Sequence, residues 1–172
     1  KLKDWGVADK TYFHISDEPS ANPEKPDYNN YLAAKTFVAP YLKDFKIMDA
    51  LSHIEFYKNG LIQYPVCSTD HIEPFMEEDI PERWGYYCCS QGNLVGNRFI
   101  AMPSYRNRIL GVQLFLSDMT GFLQWGYNFY YSERAIMPLD PYHSTDAMQA
   151  FPAGDPFSVY PWKNQAIESI RT

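Results

Sequence analysis

Apolar and polar positions along this chain switch repeatedly between a period of two and a helical period. Residues 11–17, "TYFHISD", are rich in β-branched and aromatic side chains and read as a strand. The next stretch, "EPSANPEKPD", is dense in Pro, Asn and Asp, the chemistry of a loop. Apolar residues then recur at helical spacing at Tyr28, Tyr31, Leu32, Val38, Leu42 and Phe45, which predicts a helix capped by Asp27 with one face on a sheet. A strand over 46–51, a turn of helix over 53–58 stopped by Gly60, and a strand over 61–67 follow. Ser68 or Asp70 is placed to cap a helix reaching about residue 78, and "WGYYCCS" over 84–90 reads as a buried strand. Ser104 precedes a helix over 105–118 whose Ile109, Leu110, Val112, Leu114, Phe115 and Leu116 leave little polar face, so that helix is expected to be well buried. Gly121 opens a fifth strand, "GFLQWGYNF". The remainder, with Pro138, Pro141, Pro152, Pro156 and Pro161, reads as ordered loops with a short strand over 157–160.

Strands alternating with helices imply parallel βαβ units joined by right-handed crossovers, an α/β fold. A doubly wound sheet and a (β/α)8 barrel both satisfy that rhythm. The nucleotide-binding doubly wound fold needs a glycine-rich turn after its first strand, and here Asp17-Glu18-Pro19 occupies that place, which favours the TIM-type barrel. In a barrel the functional groups stand at the C-terminal ends of strands, where this chain puts Asp17-Glu18, Asp49, Ser68, Cys89-Ser90 and Trp125 to Asn128. Five strands do not close a ring of eight. Residues 1–172 are therefore expected to be a partial or C-terminal portion of a barrel, about its last five strands, completed by a remaining barrel segment or by self-association.

Composition sharpens this picture. With 45% hydrophobic and 21% charged residues the chain can bury one sizeable core. A net charge of -6 with only 15 Lys and Arg spread along the sequence argues against nucleic acid as a partner, because phosphate contacts need clustered cations. No apolar run approaches the length of a membrane span. The 14 Tyr, 11 Phe and 4 Trp supply rings that stack on the apolar faces of sugars, although a Tyr-rich core explains the same excess and composition alone favours that plainer explanation. Cys67, Cys88 and Cys89 fit neither a disulfide framework nor a metal site and are expected to be reduced and buried. His53, His71 and His143 lack ligand spacing to carboxylates, so the pattern calls for no catalytic metal and no cofactor; His14 is expected to be a hydrogen-bonded core residue.

The adjacent carboxylates carry the chemistry. Neighbouring strand residues point to opposite faces, so Asp17 and Glu18 can share a ligand only where the pleat ends, and Pro19 is expected to end it while holding Glu18 extended. Two carboxyls at one partly apolar rim repel, which keeps one ionised and raises the proton affinity of the other, as glycoside hydrolysis requires. On the dipeptide alone, capping or pairing with Lys25 is the commoner use of such residues.

The segments "YFHISDEP", "NRFIAMPSYRNRILG", "GFLQWGYNFYY" and "GDPFSVYPWKNQAIESIRT" together resemble the catalytic domain of glycoside hydrolase family 123. The resemblance implies a barrel whose fourth strand ends in the Asp-Glu pair and which cleaves β-linked N-acetylgalactosamine by substrate-assisted, retaining hydrolysis. It implies Glu18 as general acid and base, Asp17 as the residue orienting the 2-acetamido group, and a carbohydrate or glycoconjugate substrate, with a lean toward a secreted or extracytoplasmic setting. Trp125, Tyr127 and Asn128, at or just past a strand end, are the candidates for sugar contact, and core packing is an equal expectation for Trp125. Tyr87 joins them, with Tyr86 its competitor, since only one of two neighbours can face inward. A carbohydrate-binding module without turnover, or an inactive barrel fragment, is the competing expectation.

Overall fold

The computed structural model describes residues 1–92 and 94–161; the part of the "GDPFSVYPWKNQAIESIRT" run beyond residue 161 lies outside them. Five strands, β1 (Tyr12–Phe13), β2 (Lys46–Leu51), β3 (Tyr64–Ser68), β4 (Trp84–Tyr86) and β5 (Gly121–Leu123), stand side by side in chain order. Each is parallel to its neighbour. A doubly wound sheet would reverse its order at a switch point, whereas a strictly sequential order is that of a barrel wall, so the α/β sheet is consistent with part of a TIM-type barrel. Helices α1 (Pro26–Leu42), α2 (Glu55–Lys58), α3 (Glu73–Met76), α4 (Tyr105–Arg108) and α5 (Leu110–Leu116) fall between the strands. The chain divides into two compact units: Lys1–Tyr86 with Gln113–Leu123, which holds the whole sheet, and Tyr87–Val112 with the chain from Gln124 onward.

In the first unit the two faces of the sheet have different jobs. Leu51 and Cys67 turn toward the helices and pack with Tyr31, Ile54, Phe56, Ile62, Phe75 and Ile80, and Ile47 adds to that layer. Phe56 sits between Tyr28 and Tyr31 at ring-centroid distances of 5.9 and 5.1 Å. Each apolar side chain fully buried there contributes about 1.5–3 kcal/mol relative to exposure. On β4 the parity is set by Gly85, whose helix-side face is filled by Met119 and Leu114, so Trp84 and Tyr86 point to the other face. That face is curled. In a flat sheet β1 and β4 would lie three strand spacings, about 14 Å, apart. Yet the rings of Tyr12 on β1 and Trp84 on β4 approach to 5.3 Å.

The N-terminal ends of the strands carry a polar and aromatic floor on this concave face. Lys46 pairs with Glu82 and lies 5.1 and 5.3 Å from the ring centres of Tyr12 and Tyr64, while the Tyr12 hydroxyl donates to Glu82 at 2.8 Å. The hydrogen bond from Lys46 holds Glu82 below its ordinary carboxylate range, and the same bond raises Lys46. Beside this floor the indole of Trp84 lies directly against Gly121, its in-register partner on β5, where a Cβ would strike the ring.

Several expectations are corrected. The helix over 105–118 is two helices, broken at Ile109, and is not buried: Phe115 is 83% and Leu116 70% exposed, and Val112 is also exposed. Leu114 is half-buried and lies against Gly85 of the sheet. Helix α1 is entered from Lys25 with Pro26 in its first turn, where the missing N–H costs nothing. Asp27 makes no cap and instead accepts the Ser20 N–H at 2.6 Å. Neither Ser68, Asp70 nor Ser104 caps a helix with its side chain. The strands are shorter than their apolar runs, with β1 and β4 ending at Phe13 and Tyr86.

The second unit is built on Tyr130, Leu139, Ala147 and Phe157, with Tyr130 and Phe157 stacked at 5.7 Å. In place of a strand over 157–160 there is a single antiparallel bridge, Asn128 to Phe157. Arg98 ties the unit together by donating to Ser158, to the Asp155 carbonyl, and to the Gly126 carbonyl at 3.1 Å. Cys89 is exposed and Cys88 only half-buried, whereas Cys67 is buried as expected, and none of the three forms a disulfide.

The Trp84–Gly121 contact gives a direct test of this packing. Gly121→Ala is expected to destabilise the domain by about 1–3 kcal/mol, the range for overpacking a close contact, as a lower urea midpoint with unchanged slope. An unchanged midpoint would mean that the indole does not rest on Gly121.

Candidate active site

Ladder pairing of β1 to β2 stops after Tyr12–Lys46 and Phe13–Ile47. Where it stops, the side chain of Asp49 replaces it. One carboxylate oxygen accepts the backbone N–H groups of Ile15 and Ser16 at 2.7 and 3.1 Å, and the other accepts the Tyr31 hydroxyl from α1 at 3.0 Å. His14 Nδ1 lies 2.9 Å from the same oxygen that holds Ile15. Asp49 is 0% exposed and has the helix-side parity of Ile47 and Leu51. It is therefore an interior anchor and not a rim group, surrounded by the Ile15 and Ser16 N–H groups and the His14 ring just past β1 and by the Tyr31 hydroxyl on α1. His14, expected in the core, is exposed on its outer edge, and its hydrogen bond to Asp49 pushes its pKa up against the opposing effect of burial; the charge of Asp17 adds to the rise.

The anchored amides immediately precede the carboxylate pair. Asp17 and Glu18 are exposed, and Pro19 is buried behind them. Glu18 is not extended: its φ is +43°, in the left-handed region. Proline disfavours the right-handed helical region for the residue before it, and here the chain resolves the turn by the opposite hand, at a local cost of about 1–3 kcal/mol. That geometry takes Glu18 out of the strand's alternation, so adjacency no longer sends the two carboxylates to opposite faces. Neither carboxylate joins an ion pair among the described residues, so the Lys25 pairing is not formed.

Glu18 is held from across the sheet. Tyr86, 3% exposed at the end of β4, donates its hydroxyl to Glu18 Oε1. Burial and the adjacent Glu18 carboxylate push the Tyr86 pKa up, so the phenol stays a proton-bearing donor, with the Ser52 and Ser68 hydroxyls beside it. Sequence reasoning preferred Tyr87. Parity could have found Tyr86, because Gly85 must face the crowded helix layer and its neighbours the concave one. This arrangement supplies an oriented carboxyl able to give or take a proton, with a second carboxylate one residue away.

The candidates for sugar contact belong to the second unit. Tyr87 is buried, its hydroxyl pushed up in pKa by burial. Trp125 is half-buried, with Phe151 and Phe129 at 4.7 and 5.6 Å and its indole N–H donating to Asp155 Oδ2 at 3.1 Å. Tyr127 is exposed, while its carbonyl accepts the N–H groups of Ser158 and Val159 at 2.9 and 3.1 Å. Asn128 is exposed beside its bridge to Phe157. Ser68 is buried and bonded to Asp70, so it is no open rim group. Among the described residues no three His, Cys, Asp or Glu side chains converge as metal ligands, and no helix is long and apolar enough to cross a membrane.

A sequential parallel sheet with adjacent carboxylates beyond the carboxyl end of a strand is consistent with part of a TIM-type barrel, whose functional groups stand at that end. The family model for the glycoside hydrolase 123 catalytic domain matches residues 1–172, and the chain belongs to that family, which makes it a glycoside hydrolase domain. No curated protein matches it.

The anchor is testable through His14. Its raised pKa means that the His14–Asp49 interaction stabilises the fold fully below the unfolded value of about 6.5 and is lost as pH rises through the folded midpoint. Asp49→Asn should lower that midpoint in an NMR titration and cost about 1–3 kcal/mol in a urea melt, the range for a disrupted buried hydrogen-bond acceptor. A His14 midpoint indifferent to the substitution would contradict the anchor.

Proposed function

We propose that the domain hydrolyses β-linked 2-acetamido sugars of the N-acetylgalactosamine type, with retention and with the substrate's own acetamido group as nucleophile. The observation that carries this reading is the exposed Asp17-Glu18 pair beyond β1, with Glu18 held by the Tyr86 phenol, in a chain of this family. Glu18 protonates the leaving oxygen and then activates water. Asp17 accepts the acetamide N–H and offsets the positive charge of the oxazolinium that forms when the acetamide oxygen attacks the anomeric carbon. Such chemistry stands among the exceptions to the two-carboxylate scheme with a protein nucleophile. It uses no metal and no cofactor. Tyr86 keeps Glu18 in one orientation through both steps; Trp125, Tyr127, Asn128 and Tyr87 are the proposed sugar-binding residues of the second unit.

The same reading treats residues 1–172 as a portion of the catalytic barrel. The sheet ends at β1 and β5, and the exposed apolar side chains of α5 are surfaces that further barrel wall, or a second copy, would cover.

Chromogenic aryl glycosides separate the two carboxylate roles. Glu18→Gln should lose roughly 10²- to 10⁴-fold in rate on substrates with poor leaving groups and less on activated aryl N-acetyl-β-galactosaminides, because these need little protonation. Asp17→Asn should lose rate with both kinds and bind a thiazoline mimic of the oxazolinium more weakly. Efficient turnover of a substrate without the acetamido group, or a sugar ester trapped on a protein carboxylate, would contradict substrate assistance.

A further inference from the structure

The second unit contains a carboxylate that the scheme above does not use. Asp155 is 0% exposed. Its Oδ2 accepts the indole N–H of Trp125 at 3.1 Å, and its Oδ1 has no hydrogen-bond partner among the described residues. Arg98 lies close by and donates through Nη1 to Ser158 Oγ and through Nη2 to the Asp155 and Gly126 carbonyls, but its buried Nε–H, like Asp155 Oδ1, has no partner among the described residues, and the two side chains form no ion pair. A buried carboxyl with one unpaired oxygen lowers stability, so its place calls for another explanation than folding.

The surroundings immobilise both partners of the indole bond. Gly126, next to Trp125, lies so close to the backbone of Asp155 and Pro156 that a Cβ would come within 2.7 Å of the Asp155 carbonyl oxygen. Phe129 N–H donates to the Pro156 carbonyl at 3.2 Å, and the Asn128–Phe157 bridge continues the contact. The two segments are thus locked side by side. Phe129 and Phe151 lean on the indole ring, and Asp155 holds its polar edge.

We propose that Asp155 is a positioning residue for sugar binding: by accepting the Trp125 indole N–H it fixes the ring in one orientation against Phe129 and Phe151, so that the exposed part of the ring is presented ready-made to the sugar. This rests on the reading of Trp125 as a sugar-binding residue. An aromatic wall fixed before binding leaves less rotamer freedom to lose when the ligand arrives. The bond is also sensitive to protonation. Burial pushes the Asp155 carboxyl up to about 6, opposed by the Trp125 N–H and the Arg98 charge; Tyr87 is the other titratable group coupled to it. Below that value the carboxyl is neutral and a weaker acceptor for the indole.

The test follows Trp125 and the sugar separately. The fluorescence contribution of Trp125, taken as wild type minus Trp125→Phe, is recorded across pH, and the affinity for N-acetylgalactosamine is measured on the same proteins. The Trp125 signal is expected to titrate with a midpoint near 6 in the wild type and to lose that titration in Asp155→Asn, whose amide oxygen still accepts the indole N–H but does not ionise in this range. Asp155→Leu removes the acceptor and should weaken sugar binding by a few-fold up to about tenfold, the scale of one hydrogen bond. Persistence of the titration in Asp155→Asn overturns the coupling even if the leucine variant fails to fold. If Trp125→Phe weakens sugar binding while the Asp155 variants do not, positioning by Asp155 is overturned and the sugar reading stands. If Trp125→Phe leaves sugar affinity unmoved, the sugar reading of Trp125 falls and the proposal falls with it.

Discussion

A carboxylate in the middle of β2 cannot be buried without donors, and the way Asp49 finds them determines how the chain leaves β1. Strand β1 has only two residues of ladder, too few to fix anything beyond Phe13 by main-chain pairing. Asp49 continues the connection by side chain, taking the N–H groups of Ile15 and Ser16 where β2 carbonyls would otherwise have served, and it binds Tyr31 of α1 at the same time. Removing it would leave several donors unsatisfied in a water-poor site, a far larger penalty than the loss of one surface ion pair. The backbone up to Ser16 is thereby fixed, and Asp17 and Glu18 begin from a defined point.

From there two further constraints shape the site. Pro19 is buried and Glu18 takes a left-handed turn, so the chain leaves the pleat within one residue. The curl of the sheet brings Tyr86 from β4 to meet Glu18, the C-terminal counterpart of the Tyr12–Trp84 contact near the N-terminal ends of the same strands. The two ends of the concave face differ in chemistry. Its floor is a closed network of Lys46, Glu82, Tyr12 and Tyr64, whose charges neutralise one another. Its rim leaves two carboxylates without cationic partners among the described residues. A self-neutralising network at the N-terminal face and unpaired candidate carboxylates at the C-terminal face match the division expected of barrel enzymes.

Much of the first unit was legible in the sequence. The helical spacing of Tyr28 and Tyr31 and the stop at Gly60, whose φ is +68°, marked elements that formed where the pattern placed them. The absence of a glycine-rich turn after "TYFHISD" pointed to the sequential strand order that is observed. What was hidden depended on parity and on tertiary partners. Asp49 falls near a strand end in sequence, but only its helix-side orientation reveals it as an anchor. Tyr86 and Tyr87 are indistinguishable as neighbours until Gly85 is seen against Met119 and Leu114. The apolar run over 105–118 could not report that Val112, Phe115 and Leu116 stay exposed, since hydrophobicity records a need for burial and not its fulfilment. Asp155, within the terminal motif, gave no signal by spacing, because its partner Trp125 is distant in sequence.

Amide hydrogen exchange at Ile15 and Ser16 reads out the Asp49 anchor itself, because these two N–H groups bond to a side chain where no ladder exists. Both amides are expected to be protected in the wild-type protein and to become fast-exchanging in Asp49→Ser, while amides of the β3 core such as Val66 keep their protection. Fast exchange of Ile15 and Ser16 in the wild type, or protection that survives the loss of the Asp49 carboxylate, would contradict the anchor.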